Sequence, residues 1–203
     1  MSPIFQDHIF GMEAFFSAGG LVMIPLMVIS VLMWTLIINR VFFFRRLYRK
    51  NMGRKTALAH VKASELPDPK KYRGAVALLV NGYLRRRCGL TQVDRFILDE
   101  TVLVLVSSLN RYLSLIAVLA ALAPLLGLLG TVTGMIATFD IISVFGTGNA
   151  RAMAGGISEA LITTQTGLLV AIPGLYMSGF LNRRAENLKH RISAVGIYLR
   201  RHV

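Results

Sequence analysis

The chain has 203 residues, 54% of them hydrophobic and 16% charged, with a mean hydropathy of +0.58. That balance excludes an ordinary soluble domain and fits a small polytopic membrane protein. The net charge of +13 raises nucleic acid or anionic lipid as partners, and the single cysteine, Cys88, excludes an internal disulfide framework.

Residues 1–18 carry apolar Ile4, Phe5, Ile9, Phe10, Phe15 and Phe16. Two readings stand for them: a short amphipathic helix lying on the outer membrane surface, or a plain disordered lead. An uncharged stretch follows from about Gly19 to Ile38. A bilayer crossing needs roughly 20 apolar residues, so residues 19–39 are expected to form a first transmembrane helix. The flank before it holds Asp7 and Glu13 and no Lys or Arg, unlike the basic leader of a cleaved signal, so the helix reads as a retained anchor.

Residues 40–111 read as a cytoplasmic helical region. Its first part, "NRVFFFRRLYRKNMGRK", mixes aromatic and basic residues as expected where a helix leaves lipid for an anionic leaflet. That composition favours membrane lipid over a specific phosphoinositide or nucleotide site. "SELPDPKKYRG" breaks the pattern with two prolines, "GAVALLVNGYLRRR" resumes helical spacing, and Cys88-Gly89 breaks it again. Thr91 is a candidate N-cap, with Asp94 three residues on as a capping acid. From there to about Phe139 only Pro124 interrupts, which predicts about 49 residues of continuous helix, roughly 74 Å long. A second long helix is expected from Ile157 to about Arg201. No strand pattern or repeat is present, and the predicted fold is all-α with long helices extending into the cytoplasm.

The second span is expected over 112–139 and the third over 156–180, where Glu159 is the only charged residue. The connection at 140–155 carries Asp140 and Arg151, and a tail follows at 181–203. From Arg40 to Arg111 there are 16 Lys and Arg against 5 Asp and Glu, and from Arg183 to Val203 6 against 1. The positive-inside rule puts both segments in the cytoplasm and the N-terminus outside. The basic excess is then topological. No aromatic-basic platform accompanies it, so nucleic acid is not an expected partner.

In the second span Gly127, Gly130 and Gly134 are candidate helix-packing residues, Gly130 and Gly134 forming a small-xxx-small pair. Thr131 and Thr138 share a face. Their hydroxyls either bond back to the helix carbonyls or line a polar surface. No lysine lies in this span, which excludes a phosphate loop.

In the third span Glu159, Thr163, Thr166, Val170 and Pro173 form one stripe, with Thr164 rotated about 140° from Glu159. A carboxylate within a span implies function by default. A structural acid bonded across a subunit contact is the alternative. Three helices in one chain offer little cover for these groups, which implies a homo-oligomer enclosing water or another protein's helix. His8, His60, His190 and His202 are scattered, and no metal, cofactor or enzyme constellation involves them.

"APLLGLLGTVTGMIATF" followed by "GGISEALITTQTGLLVAIPG" closely resembles the proton-channel family of ExbB, TolQ and MotA. Three spans fit the ExbB/TolQ branch, and the third-span motif favours ExbB. The resemblance implies a pentamer in a Gram-negative inner membrane, with a periplasmic N-terminus and a cytoplasmic C-terminus. Its second and third spans would line a pore holding an ExbD-like single-span partner. Proton-motive force would then drive a TonB-like protein that energises outer-membrane transport.

By the same resemblance Thr131 and Thr164 fall on the pore threonines, and Glu159 is a pore or subunit-contact acid. Pro173 is the "AIP" proline. The proton-carrying aspartate would lie on the partner; Asp140 reads as a solvated helix end, with a place at the outer mouth as the alternative. "TTQTG" departs from the family pattern, and Gln165 leaves open which hydroxyls line the pore. The alternatives are a TolQ-type subunit of the Tol-Pal envelope system, a non-conducting membrane scaffold, or a stator relative coupling through its basic cytoplasmic surface.

Overall fold

The computed structural model describes residues 19–49 and 51–202; the two readings of residues 1–18 lie outside them. Helix α1 is Met23–Tyr48, α2 Arg54–Ala63, α3 Ala75–Leu84, α4 Thr91–Asn110, α5 Leu113–Phe145 and α6 Ala150–Arg200, with a single 3-10 turn, Gly146–Gly148, between the last two. The described residues contain no strand. The fold is all-α, with three helical stretches among the described residues long and apolar enough to cross a membrane.

Contacts divide the chain into two units. Among the described residues the first holds 19–36 with Leu115–Ser178, the second Ile37–Ser114 with 179–202.

In the first unit the α5 residues Ile116, Ala120, Ala123, Gly127, Gly130, Gly134 and Thr138 are buried, at steps of three and four. That is one face of a helix. The opposite face is as apolar as the core: Leu125, Leu128, Val132 and Ile136 are all at least half exposed. A helix apolar all round belongs in lipid. Inside lipid the hydrophobic effect no longer drives helices together, so close packing of small residues does. Pro124 and Pro173 sit within α5 and α6 without ending them, as membrane helices tolerate.

In the second unit α3 is the buried element, with Ala75, Val76, Ala77, Leu79, Val80 and Tyr83 all in the core. Asn51 Oδ1 accepts the backbone N–H groups of Met52 and Val76 at 3.1 and 3.2 Å, holding the segment before α2 against the start of α3. Arg87 donates to Asp94 Oδ2, Val61 O and Ser64 Oγ, tying α2 to the start of α4. Tyr48 donates its hydroxyl to Arg184 O at 3.1 Å, joining α1 to α6.

Two expectations are corrected here. The helix expected from Thr91 to Phe139 is interrupted at Arg111–Tyr112, where Tyr112 takes φ 66°. A left-handed residue with a side chain costs about 1–2 kcal/mol. Stacking supplies a counterweight: the guanidiniums of Arg40 and Arg111 lie 5.1 and 4.8 Å from the Tyr112 ring centroid. The N-cap of α4 is Leu90, with Thr91 already helical and no side-chain cap. Asp94 does reach back, but past the cap, accepting from Cys88 N at 2.9 Å and Gly89 N at 3.2 Å. Gly89 is at φ 83°, so the turn itself presents those amides to the carboxylate.

Candidate functional site

Several hydroxyls of the first unit, those of Thr138, Thr163 and Thr164 among them, lie along the seam between α5 and α6. The seam is close because its residues are small. A Cβ on Gly134 would come within 2.8 Å of Gly156 O, and one on Gly167 within 2.8 Å of Ala123 O. A Cβ on Gly130 would collide with the Thr163 side chain, and one on Gly156 with Thr138 Oγ1. Gly127 faces Thr163 O and the Thr164 Cα, each 3.2 Å from a Cβ built there. Gly127, Gly130 and Gly134 thus form the α5 side of the contact. Gly156, Ala160, Thr163 and Gly167 form the α6 side.

Most hydroxyls along the seam bond back to their own helix. Thr131 donates to Leu128 O at 2.6 Å, Thr138 to Gly134 O at 3.0 Å, Thr163 to Ala160 O at 2.9 Å and Thr166 to Ile162 O at 2.8 Å. Lipid leaves such groups no water to bond, so the carbonyl one turn back serves. Thr164 differs. Its Oγ1 lies 3.1 Å from Ala160 O and 3.2 Å from Gly127 O, across the seam on α5.

Helical geometry then sorts the site. Thr163 meets Gly130 and Thr164 meets Gly127, so passing from Thr163 to Thr164 around α6 matches passing from Gly130 to Gly127 around α5. At about 100° per residue, Thr131 stands about 40° beyond Gly127, on the margin that carries Thr164. Both are half-buried. Glu159 stands beyond Thr163 on the opposite margin, where it meets the start of α1. A Cβ on Gly20, at φ 63°, would collide with Glu159 Oε1. Helical periodicity therefore puts Thr131 and Thr164 on the same margin of the seam and Glu159 on the other.

The remaining residues distribute as follows. Thr163 is fully buried in the seam, and Gln165 is exposed. Asp140 is exposed near the end of α5. Pro173 precedes Gly174, which packs under Met33 and Ala120; a Cβ there would come within 2.5 Å of Met33 Sδ. Glu159 and Asp140 are the carboxylates that α5 and α6 place in this unit.

Sequence reasoning missed Gly20 and the small face of α6. The second had a signal: Gly156, Ala160, Gly167, Ala171 and Gly174 recur at helical spacing, the counterpart of the α5 glycines. Gly20 had none, because its left-handed backbone shows only in the folded chain.

Residues 78–194 match the sequence profile of the MotA/TolQ/ExbB proton channel family. The chain is 33% identical to biopolymer transport protein ExbB-like 1 of Synechocystis sp., over 96% of this chain and 80% of that one. It is 38% identical to biopolymer transport protein ExbB of Aquifex aeolicus, over 55% of this chain and 72% of the other. With the ExbB of Neisseria gonorrhoeae the identity is 28%, over 89% and 91% of the two chains.

Proposed function

This chain belongs to the MotA/TolQ/ExbB proton channel family, on its ExbB branch, and from that premise we propose that it assembles as a homopentamer around a pore in a bacterial inner membrane. It is a membrane transport protein and not an enzyme. The pore takes the single transmembrane helix of an ExbD-like partner. Proton flow through the complex drives motion that a TonB-like protein passes to outer-membrane transporters. The N-terminus is periplasmic, residues 40–111 and 181–203 are cytoplasmic, and the spans are 19–39, 112–139 and 156–180.

The observation that carries this reading is the bond from Thr164 Oγ1 to Gly127 O, one helical turn from Thr131. Two hydroxyls from different helices stand on one half-buried margin. Each donates its hydrogen to a carbonyl and keeps lone pairs to accept a bond from water or a hydroxonium ion. Such groups pass a proton without holding it. The group that takes and releases the proton is an aspartate of the partner's helix. Glu159, on the margin beside α1, acts at the outer end as an acid that orders the N-terminus of α1 or a subunit contact.

Proton flux into liposomes, measured with and without an ExbD-like chain, tests the proposal. Partner-dependent flux is the expected result. An assembled complex that passes no protons above the empty-liposome rate would replace the channel with a passive scaffold.

A further inference from the structure

The second unit contains a cavity that the channel reading leaves unused. It measures about 710 Å³ and is lined by Phe42, Arg45, Arg46, Arg49 and Arg73. The first four are spaced i, i+3, i+4 and i+7, so α1 and its terminal turn present them as one stripe. Arg73 comes from a separate segment, between α2 and α3, where its Nε donates to Pro69 O at 2.8 Å. Four arginines therefore line one space. Among the described residues none of the four pairs with a carboxylate. The nearest acid in sequence to Arg73, Asp68, is turned to the Lys70 backbone N–H at 2.8 Å.

Ordinary causes account for part of this. Cations favour a helix C-terminus, and basic residues favour the cytoplasmic end of a span. Neither requires Arg73 to close the same cavity from another part of the chain. Like charges gathered there repel one another, and a multivalent anion removes that repulsion. The planar guanidinium fork matches phosphate oxygens in pairs. Phe42, 65% exposed, adds an apolar wall beside the charges.

We infer that this cavity is a binding site for a phosphate-bearing anion. Two sources share that chemistry: the headgroup of an acidic phospholipid, and a soluble polyphosphate. The inference rests on second-unit residues alone and is independent of proton conduction.

The test uses the full-length protein, delipidated in neutral detergent and titrated with phosphatidylglycerol in mixed micelles and, separately, with inorganic pyrophosphate. Bound ligand is followed by native mass spectrometry. Saturable binding is expected in at least one arm, weakened about tenfold by Arg73→Gln through loss of one charge-assisted contact. Arg45→Gln, on an exposed helix face, is expected to act in the same way without touching the 67–73 segment. Lys62→Gln removes the same charge from an exposed residue that does not line the cavity and is expected to leave binding unchanged. Binding in the lipid arm alone assigns a headgroup, and binding of pyrophosphate assigns a soluble anion. No saturable binding in either arm, or an equal loss with Lys62→Gln, overturns the inference.

Discussion

The Glu159 carboxylate occupies the space that a side chain at Gly20 would need. The conspicuous acid of the third span is thus matched to a residue with no side chain, held at φ 63° just before α1 begins. Replacing Gly20 by Ala meets both a disfavoured backbone and the carboxylate, and is expected to destabilise the protein by about 1–3 kcal/mol. Thermal melting in detergent reads the loss. Adding Glu159→Ala should return part of it, because the two sites are in contact. Strictly additive effects would show that the contact does not form.

Glu159→Gln keeps the shape and the hydrogen-bonding capacity while removing the charge. Retained energy transduction assigns a neutral structural role to Glu159. Lost transduction in a normally assembled complex assigns a titrating one.

Thr131→Ala combined with Thr164→Ala removes the two hydroxyls of one margin. Partner-dependent proton flux is expected to fall at least about tenfold, as for removal of groups that act on the transferred proton. Thr166→Ala, which removes a hydroxyl bonded only to its own helix at Ile162 O, is expected to leave flux close to normal. Intact flux in the double variant would remove both threonines from the proton path.

Gly130→Ala tests the seam. Its Cβ would collide with the Thr163 side chain, and such overpacking costs about 1–3 kcal/mol. Thr163→Gly in the same chain removes the Cβ as well as the hydroxyl that the new methyl would meet, and should recover part of the stability. A melt of Gly130→Ala indistinguishable from the native protein would mean that α5 and α6 are further apart than this seam requires.

Tyr83 gives a pH prediction. Burial, together with the nearby Asp94 charge and against a smaller opposing effect of Arg87, raises its phenol above the ordinary value of 10.0. The unfolded chain then loses this proton first as pH rises, while the folded chain keeps it. The unfolded state binds fewer protons in that window, so stability falls with pH above the ordinary tyrosine value. Tyr83→Phe abolishes that contribution. Its hydroxyl is buried without a hydrogen-bond partner among the described residues, so the variant is expected to melt no lower than the native protein at neutral pH. The difference between the two should widen in favour of Phe above about pH 10. Parallel alkaline curves would refute the assignment.

Much was legible before folding. Three uncharged or nearly uncharged runs announced three spans, because transfer into lipid depends on each residue's own chemistry. The glycines of α5 announced a close helix contact, and the paired second- and third-span motifs announced the family. Other features depend on a special backbone conformation or on residues far apart in the chain. Pairing of Asp94 with the Cys88 and Gly89 amides needed a left-handed turn at Gly89. The break at Tyr112 depends on Arg40, some seventy positions earlier.

The division between sequence and structure is sharpest on α6. Helical periodicity by itself separates Glu159 from Thr164 by about 140°, and composition marks both as too polar for lipid. Periodicity has no reference direction, so it does not say which neighbour each residue meets. Packing supplies that direction. The Gly127–Gly130–Gly134 face brings α5 close enough for Thr164 to bond Gly127 O, and the absent side chain at Gly20 makes room for Glu159 on the other margin. Hydropathy is a sum over single residues and is written in the sequence. The facing of a hydroxyl is a property of two helices in contact, and only the tertiary structure decides it.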